Sequence, residues 1–304
     1  MKSCLVTGGA GFIGSHLVEG LLARGFKVRI LDDLSTGHRH NLAAVEGSID
    51  FVEGSITDAE TVHRSVGGCD TVFHLASLPS VVESIADPVK MHEIGTTGTL
   101  HVLNSARRLG VRRVVFAASA SAYGDQPGDL RRETDQLLPL SPYAASKLAG
   151  EHYCASFTTV YGLETTRLRF FNVFGPRQDP KSPYTGVIAI FMDAMKAGKI
   201  PTIFGDGLQA RDFVYVANVV EALILAAQSP KAVGKVYNIG MGQAVTLLDL
   251  VRHLNHVLGF TIQPAHAAER VGDIRHSQAD VSQAVADLGY APKIPFVDGL
   301  RRTC

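Results

Sequence analysis

The feature of this sequence that most constrains its fold is a glycine-rich turn close to the N-terminus. The turn follows an apolar segment, residues 4–6, and its glycines have the spacing Gly8-x-x-Gly11-x-x-Gly14. Apolar residues at helical spacing come next: Leu17, Val18, Leu21 and Leu22. A strand, a turn of this kind and a helix in succession are typical of a dinucleotide-binding unit, because glycines let the backbone approach a pyrophosphate at the N-terminus of the helix.

An acidic residue ends the next predicted strand. The apolar run at 27–31 is followed by Asp32, at about the 20-residue interval expected between the glycine turn and a ribose-binding acid. A carboxylate there accepts hydrogen bonds from ribose hydroxyls and repels a 2′-phosphate, so the pattern favours NAD over NADP. The predicted fold class is α/β, with a Rossmann-type doubly wound parallel sheet.

Length and charge exclude several classes of protein. The 304 residues suffice for one large α/β domain, or for a large and a small one. Because 29 basic residues balance 29 acidic ones, we expect no general attraction to nucleic acid or to a membrane surface. No apolar run approaches the ~18–20 residues of a membrane span.

The cysteines indicate a reducing environment. They are scattered and lack the Cys-x-x-Cys spacing of zinc and redox sites: Cys4, Cys69, Cys154 and Cys304. We therefore predict no metal site and a cytoplasmic location. The first strand is predicted to begin at Ser3, so we expect no signal peptide.

A second motif combines a phenol with an ammonium group. Ser141 is a good N-cap and Pro142 suits the first helical position, so a helix is predicted to begin there. Tyr143 and Lys147 are then neighbours one turn apart, and the lysine is expected to lower the pKa of the tyrosine and make it a base. The alternative is an ordinary surface pair on the helix, worth about 0.2–0.5 kcal/mol.

With these motifs the chain resembles the extended short-chain dehydrogenase/reductase family over nearly its whole length. Within that family it is most similar to the nucleotide-sugar 4-epimerases that act on UDP-glucose and UDP-N-acetylglucosamine. The resemblance implies a Rossmann domain over 1–171, to which 211–239 returns. It also implies a smaller C-terminal α/β lobe that binds the UDP-sugar, over 172–210 and 240–304.

The resemblance also implies a catalytic set and a reaction. Ser119, four residues before Tyr123-Gly124, completes the set with Tyr143 and Lys147, although a serine at a strand end is often only a turn former. The implied reaction is NAD-dependent epimerisation at C4 of a UDP-hexose through a 4-keto sugar. Dehydratases of the family carry an Asp-Glu pair where this chain has Ala120-Ser121, which argues against 4,6-dehydration.

The family pattern assigns cofactor contacts to four segments of the chain. The implied NAD-binding residues are Gly8, Gly11, Phe12, Ile13, Gly14, Asp32, Asp33, Ser55, Ile56, Leu75, Ala76 and Ser77, together with Tyr143 and Lys147. Three positions depart from the pattern: Ser55 replaces an aspartate, Pro79 a lysine and Gly95 an asparagine. These departures bear on the strength of NAD binding and not on the fold. We interpret His74 as a packed strand residue and Asp58 as a helix N-cap.

Substrate contacts are implied in five further segments. The residues are Val81, Glu83, Ser84, Ser119, Asn172, Arg211, Arg270, Asp273 and Ser277. Two arginines from separate segments suit a diphosphate in an otherwise neutral protein, although Arg211 could also be a surface residue. Relatives restricted to glucose and galactose carry a bulky aromatic residue where this chain has Ser277. The small serine leaves room for a 2-acetamido group, so UDP-GlcNAc and UDP-GalNAc are included beside UDP-Glc and UDP-Gal.

Several alternatives remain within and outside this interpretation. The same three catalytic residues would serve a UDP-glucuronate epimerase or decarboxylase, or a keto-sugar reductase. A non-catalytic NAD-binding scaffold is the alternative from another class. The resemblance further implies a role in polysaccharide biosynthesis and a homodimer formed through helices near 87–109 and 142–160. The last helix, predicted from Gly299, is expected to be short.

Overall fold

The structure is a computed structural model that describes residues 2–179, 186–269 and 274–304. Its strands are β1 (Ser3–Thr7), β2 (Lys27–Asp32), β3 (Ile49–Glu53), β4 (Thr71–His74), β5 (Arg113–Ser119), β6 (Leu130–Arg131), β7 (Glu164–Phe170), β8 (Asn172–Phe174), β9 (Thr202–Phe204), β10 (Ala210–Arg211), β11 (Phe213–Tyr215), β12 (Val236–Ile239), β13 (Val245–Thr246), β14 (Ala265–Ala267) and β15 (His276–Ala279). Its α-helices are α1 (Phe12–Leu22), α2 (Ala59–Val66), α3 (Val81–Ala86), α4 (Pro88–His92), α5 (Thr99–Arg108), α6 (Pro142–Tyr161), α7 (Val187–Lys196), α8 (Val216–Gln228), α9 (Leu247–Leu258), α10 (Ser282–Leu288) and α11 (Phe296–Thr303).

A seven-stranded parallel sheet forms the centre of the molecule. Its strand order is β12-β7-β5-β4-β1-β2-β3, so the chain runs outward from β1 to β3 and then crosses back to β4 on the other side. The strand order therefore reverses between β1 and β4, and ligands of doubly wound sheets bind in the crevice at such a point. This topology confirms the predicted fold class.

Alternating side chains of the strands bury both faces of the sheet. In β1, Val6 faces one layer of core that includes Leu17 of α1 and Leu223 of α8. Its neighbour Leu5 faces the opposite layer, which includes Val62 of α2. Because both faces are covered by helices, the central strands are nearly continuous apolar runs, as expected for a parallel sheet.

A smaller lobe is built beyond the carboxyl ends of the main strands. Its mixed sheet has the order β13-β10-β15-β6, with β10 and β13 antiparallel and the other pairs parallel. A separate apolar cluster packs α7, α9 and α11 together. Two short parallel pairs, β8 with β11 and β9 with β14, complete the strand pairings among the described residues.

Helix starts follow the predicted caps. Ser141 is the N-cap of α6 and accepts a hydrogen bond from the Ala144 amide at 3.1 Å, and Asp58 caps α2 in the same way. Both predictions are confirmed. No helix in the described part of the chain is long and apolar enough to cross a membrane.

The predicted long helix over 87–109 is interrupted. It consists of α4, a π-helical segment (Glu93–Gly98) and α5. Two glycines in the π-helical segment allow close packing: a Cβ on Gly95 would lie 2.6 Å from Ser146 Oγ, and one on Gly98 would lie 2.7 Å from Ile56. Through Gly95 the segment therefore packs closely against α6, the helix that carries the predicted base.

Candidate active site and cofactor cleft

A cleft of about 580 Å³ opens at the carboxyl ends of the central strands, and the glycine turn forms one of its walls. Gly8 has φ +72° and donates its amide to Leu31 O at 2.9 Å, which ties the turn to β2. A Cβ on Gly14 would lie only 2.0 Å from Gly8 O. The turn therefore requires glycine at both positions, as the sequence spacing predicts.

The cleft has the donors that a dinucleotide needs. Helix α1 begins at this wall, and its N-cap, Gly11, supplies no side-chain cap, so the first amides of the helix are available for an anion. The Ser77 hydroxyl is buried in the same cleft and has no hydrogen-bond partner among the described residues. The volume lies within the roughly 300–1,000 Å³ of small-molecule sites. The residues present therefore fit a pyrophosphate-linked cofactor.

Two adjacent carboxylates line the far end of the cleft. Asp32 accepts hydrogen bonds from the Ala10 amide at 2.8 Å and from the Leu34 amide at 2.9 Å, so it also fixes the glycine turn. Burial raises the pKa of Asp32, and the two backbone donors oppose that shift. Asp33 lies beside it and accepts from the Ser35 amide and hydroxyl. Two acids here disfavour a further negative charge on a bound ribose.

The three predicted catalytic residues meet in the same cleft. Ser119 ends β5, while Tyr143 and Lys147 lie on the first two turns of α6. The Ser119 hydroxyl lies close enough to the Tyr143 phenol to lower the pKa of that phenol. The Lys147 ammonium donates to the Ala117 carbonyl at 2.9 Å and lies 6.0 Å from the centroid of the Tyr143 ring.

Burial has the largest effect on the pKa values of Tyr143 and Lys147. It raises the pKa of Tyr143, and the Ser119 hydroxyl opposes the shift. Burial also lowers the pKa of Lys147 to about 8. The negative charge of Glu151 acts in the opposite direction, because it favours the ammonium form. The Lys147 ammonium, which donates to Ala117 O, is not among the causes of the Tyr143 shift, so its effect on the pKa of the tyrosine stays a prediction.

A buried polar network holds the catalytic helix against the sheet. Glu151, one turn beyond Lys147, forms a buried ion pair with Arg169 of β7, with nitrogen–oxygen distances of 2.9 and 2.7 Å. Arg169 also donates to the Tyr123 hydroxyl at 2.9 Å, and that hydroxyl donates to Asn238. The network connects α6, β7 and β12, and it fixes the position of the helix that presents Tyr143.

His74 is a packed residue, as predicted. Its two ring nitrogens are hydrogen-bonded to the Thr7 and Thr99 hydroxyls at 2.8 and 3.0 Å. Burial lowers its pKa to about 3, so the ring is neutral. No group of three or more His, Cys, Asp or Glu able to hold a metal occurs in the described ranges.

Most of the predicted cofactor residues line the cleft. They are Gly8, Gly11, Phe12, Ile13, Gly14, Asp32, Asp33, Ile56, Leu75, Ala76, Ser77, Tyr143 and Lys147. Ser55 is not among the lining residues, and its hydroxyl is hydrogen-bonded to the Thr57 hydroxyl at 2.9 Å.

The predicted substrate residues occupy more scattered positions. Asn172 is exposed at the start of β8. Arg211 and Ser277 are register partners in the lobe sheet, so their side chains share one face. On α3, Val81 is exposed and Glu83 lies 3.5 Å from the Lys90 ammonium, whereas Ser84 is buried and donates its hydroxyl to Val81 O. Arg270 and Asp273 lie outside the described residues.

Sequence reasoning missed one wall of the cleft. That wall and the neighbouring rim include Ser35, Thr36, His38, Asn41, Arg177, Gln178 and Asp179. Arg177 has φ +68°, pairs with Glu19 of α1 through Nη2, and buries an Nη1 that has no partner among the described residues. The signal that could have found it is an arginine directly after Gly175-Pro176, where a predicted strand turns into a loop.

Comparison with known proteins identifies the family of the chain. Residues 4–240 match the model of the NAD dependent epimerase/dehydratase family. A UDP-glucose 4-epimerase of Mycolicibacterium smegmatis is 39% identical over 303 residues, covering 98% of this chain and 96% of the relative.

Two solved structures are similar over nearly their whole length. The UDP-N-acetylglucosamine 4-epimerase of Methanobrevibacter ruminantium, in complex with UDP-N-acetylmuramic acid, is 38% identical with a TM-score of 0.95, covering 99% of this chain and 96% of that one. The UDP-glucose 4-epimerase of Thermus thermophilus, in complex with NAD, is 39% identical with a TM-score of 0.89, covering 99% and 97%. The chain therefore belongs to the NAD-dependent epimerase/dehydratase family, and NAD is its cofactor.

Proposed function

We propose that the chain interconverts UDP-hexoses that differ at C4 and retains NAD between turnovers. The observation that carries the proposal is the meeting of Ser119, Tyr143 and Lys147 in the cleft whose wall is the glycine turn. A phenol beside a serine hydroxyl and a cofactor that accepts hydride is suited to oxidising a secondary alcohol. The names of the relatives support a UDP-sugar as the carrier of that alcohol.

The residues of the chain have separable roles in this reaction. When bound, NAD would supply the acceptor for a hydride from C4 of the sugar and the donor of that hydride to the other face. Tyr143, as the phenolate, accepts the proton of the 4-hydroxyl and later returns it, and Ser119 stabilises the phenolate by donating a hydrogen bond. Lys147 supplies a buried positive charge in the same cleft and would hold the nicotinamide ribose.

The small lobe is the proposed site of the UDP group. We assign 1–171 and 211–239 to the cofactor domain, and 172–210 and 240–304 to the substrate lobe. Support comes from β12, which joins the main sheet, and from β13, which joins the lobe sheet. Arg211 stands at the boundary between these ranges, on β10, which pairs in the lobe sheet. It is the proposed diphosphate ligand, because guanidinium groups match phosphate oxygens.

The remaining proposed substrate contacts are divided between the hexose and the UDP group. Val81, Glu83, Ser84, Ser119 and Asn172 are assigned to the hexose. Arg270 and Asp273 are assigned to the pyrophosphate and ribose of UDP.

The identity of the sugar is proposed from Ser277. Its small side chain shares a sheet face with Arg211, the proposed diphosphate ligand, and leaves that face without an aromatic residue at position 277. We infer that UDP-GlcNAc and UDP-GalNAc are accepted beside UDP-Glc and UDP-Gal. Space alone provides only about 1–3 kcal/mol of discrimination, so both pairs should turn over.

The decisive experiment is a set of separate incubations with UDP-Glc, UDP-GlcNAc and UDP-GlcA, with products identified by NMR. We expect C4 epimers from the first two. Loss of the carboxyl group of UDP-GlcA, or reduction without epimerisation, would instead support the decarboxylase or reductase alternative. Absence of any product with all three sugars would favour the non-catalytic scaffold.

Two variants test the proposed base and the proposed sugar preference separately. Tyr143→Phe should abolish turnover and leave NAD bound, and substantial residual activity would contradict the proposed base. Ser277→Tyr should reduce turnover of the acetamido sugars about 10-fold or more, with little effect on UDP-Glc. Unchanged acetamido turnover would show that Ser277 does not limit the pocket.

We further propose that the protein is a homodimer. Apolar side chains are exposed on α3, α4 and α6, among them Val82, Ile85, Val89 and Val160. These helices pack against one another, so the residues belong to neighbouring surfaces. Exposed apolar side chains on several packed helices are typical of an interface.

The cellular setting is proposed from the cysteines. All four are free, and Cys4 and Cys154 are buried. Free buried thiols are compatible with the cytoplasm, where the UDP-sugars used in polysaccharide biosynthesis would be its substrates. Cell fractionation would test the location.

A further inference from the structure

A second serine lies behind the proposed catalytic one. Ser119 is the N-cap of a short 3-10 helix (Ala120–Tyr123) that follows β5. The Ser121 amide donates to Ser119 Oγ at 3.2 Å, and the Ser121 hydroxyl donates to the same oxygen at 2.9 Å. Ser121 is not among the residues that line the cleft, whereas Ser119 is.

The number of hydrogen bonds that a hydroxyl can make determines whether Ser119 donates or accepts. A serine hydroxyl has one donor and two acceptor positions. Ser121 fills both acceptor positions of Ser119, so the remaining role of the Ser119 hydroxyl is to donate. The Tyr143 phenol lines the same cleft as Ser119, and donation from Ser119 to the phenolate would oppose the effect of burial on the pKa of Tyr143.

We propose that Ser121 is a positioning residue for the reaction: it aims the Ser119 proton at the Tyr143 oxygen and strengthens that hydrogen bond. The proposal rests on the proposed function. Neither serine transfers a proton in it. When the sugar 4-hydroxyl is deprotonated, its O–H bond breaks and an O–H bond forms on Tyr143, while Ser119 and Ser121 keep their own protons.

Chains of hydroxyl groups polarise one another, so the outer serine strengthens the inner hydrogen bond most when the phenol is charged. Removing Ser121 Oγ therefore destabilises the phenolate more than the phenol. The backbone amide of residue 121 and the 3-10 turn remain in Ser121→Ala. The expected effect is on ionisation and rate, with little effect on folding.

The Ser121→Ala substitution leaves the charged side chains near the cleft unchanged. Those that line it are Asp32, Asp33, His38, Lys147, Arg177 and Asp179. The two segments that line the cleft together with Tyr143, residues 75–79 and 117–119, carry no titratable side chain. A shift in the pKa of Tyr143 can therefore be assigned to the serine pair.

The test is a double-mutant cycle of Ser119→Ala and Ser121→Ala in the NAD-loaded protein, with Ser121→Thr as the conservative variant. We expect Ser121→Ala to lower kcat about 5-fold with KM unchanged, as for loss of one neutral hydrogen bond. The acidic limb of the kcat–pH profile should move to higher pH. Threonine, which keeps the hydroxyl, should restore both, and Ser121→Ala should add nothing in the Ser119→Ala background.

A second readout separates this proposal from the proposed function. The ultraviolet absorbance of tyrosinate, with the titration of Tyr143→Phe subtracted, reports the pKa of Tyr143 without any sugar. We expect that pKa to rise in Ser121→Ala and to return in Ser121→Thr. An unchanged titration, or additive effects of the two serines, would overturn the positioning role. Activity retained in Tyr143→Phe would overturn the proposed function instead.

Discussion

Lys147 is a buried cation whose hydrogen-bond partner is a neutral carbonyl. Burying this charge lowers the free energy of unfolding. The Lys147 side chain is 6% exposed and donates to Ala117 O. Lys147→Met keeps the apolar stem and removes the charge, so we expect the free energy of unfolding at pH 7 to rise by about 1–3 kcal/mol while turnover is lost. Thermal and denaturant unfolding measure the first effect. Lys235→Met, at an exposed ion pair with Asp287, is the control and should change stability by less than about 1 kcal/mol.

The same lysine predicts a pH dependence with a definite sign. Its pKa falls from 10.5 to about 8 on folding. Between these values the unfolded chain binds the proton and the folded protein does not, so stability rises with pH there. The stability gain of Lys147→Met should therefore be constant below the folded-state pKa of about 8 and shrink above it. A gain that stays constant up to the unfolded-state value of 10.5 would contradict the lowered pKa.

Arg177 offers a positive charge to the cofactor cleft. One of its nitrogens pairs with Glu19, and the other is buried in the cleft wall without a partner among the described residues. The chain has Pro79 in place of the family's lysine. We expect Arg177→Gln to raise the Kd of NAD about 10-fold, since a hydrogen bond from a charged donor is lost.

Titration calorimetry with NAD measures this effect. Arg24→Gln is a matched control, because Arg24 also pairs with a glutamate near α1 but is exposed. It should leave the Kd unchanged. Equal Kd values for wild-type protein and Arg177→Gln would show that the buried nitrogen does not serve the cofactor.

At the scale of the elements, the glycine turn between β1 and α1 has no room for a side chain at Gly14. A Cβ at Gly14 would lie 2.0 Å from Gly8 O, a backbone atom of the same turn. We expect Gly14→Ala to abolish measurable NAD binding and to destabilise the fold by about 3 kcal/mol or more, the upper end of the range for overpacking. Calorimetry of binding and of unfolding checks both. Gly47→Ala is the control, because nothing lies within 4 Å of its Cβ position and its φ is not positive.

Local elements were predictable because their determinants are close in sequence. The glycine spacing, the Ser141 cap and the acid after β2 each act over a few residues, and the structure has the turn, the α6 start and the strand end where these patterns predict them. The parallel order of the sheet followed from the succession of strand and helix signals. Residues that line one cleft wall were predicted for the same reason.

Features that sequence reasoning could not reach depend on distant contacts. The pKa of Tyr143 is set by burial against segments far along the chain, and the position of the Lys147 ammonium by a carbonyl of β5. Arg177 enters the cleft from a loop that is tied to α1 through Glu19. The lobe sheet joins β6, β10, β13 and β15, four short strands with no sequence pattern in common.

At the scale of the whole molecule, the proposed catalytic helix also faces outward. Helix α6 presents Tyr143 and Lys147 to the cleft, and its C-terminal end exposes Val160 and Tyr161. The buried pair of Glu151 and Arg169 lies between these two regions. Dimerisation through the outer surface would therefore bury apolar residues on the helix that carries the base.

The proposed dimer gives the last prediction. Val89 on α4 is 66% exposed and lies among the apolar residues of the proposed interface. A two-fold interface contains the same residue twice, so Val89→Glu would place two carboxylates in it, and unpaired buried charges are strongly destabilising. We expect wild-type protein to be dimeric by light scattering and Val89→Glu to be monomeric at micromolar concentration. Ile200→Glu, at a similarly exposed apolar residue of the other lobe (62%), should remain dimeric. A dimer that survives Val89→Glu would place the interface elsewhere.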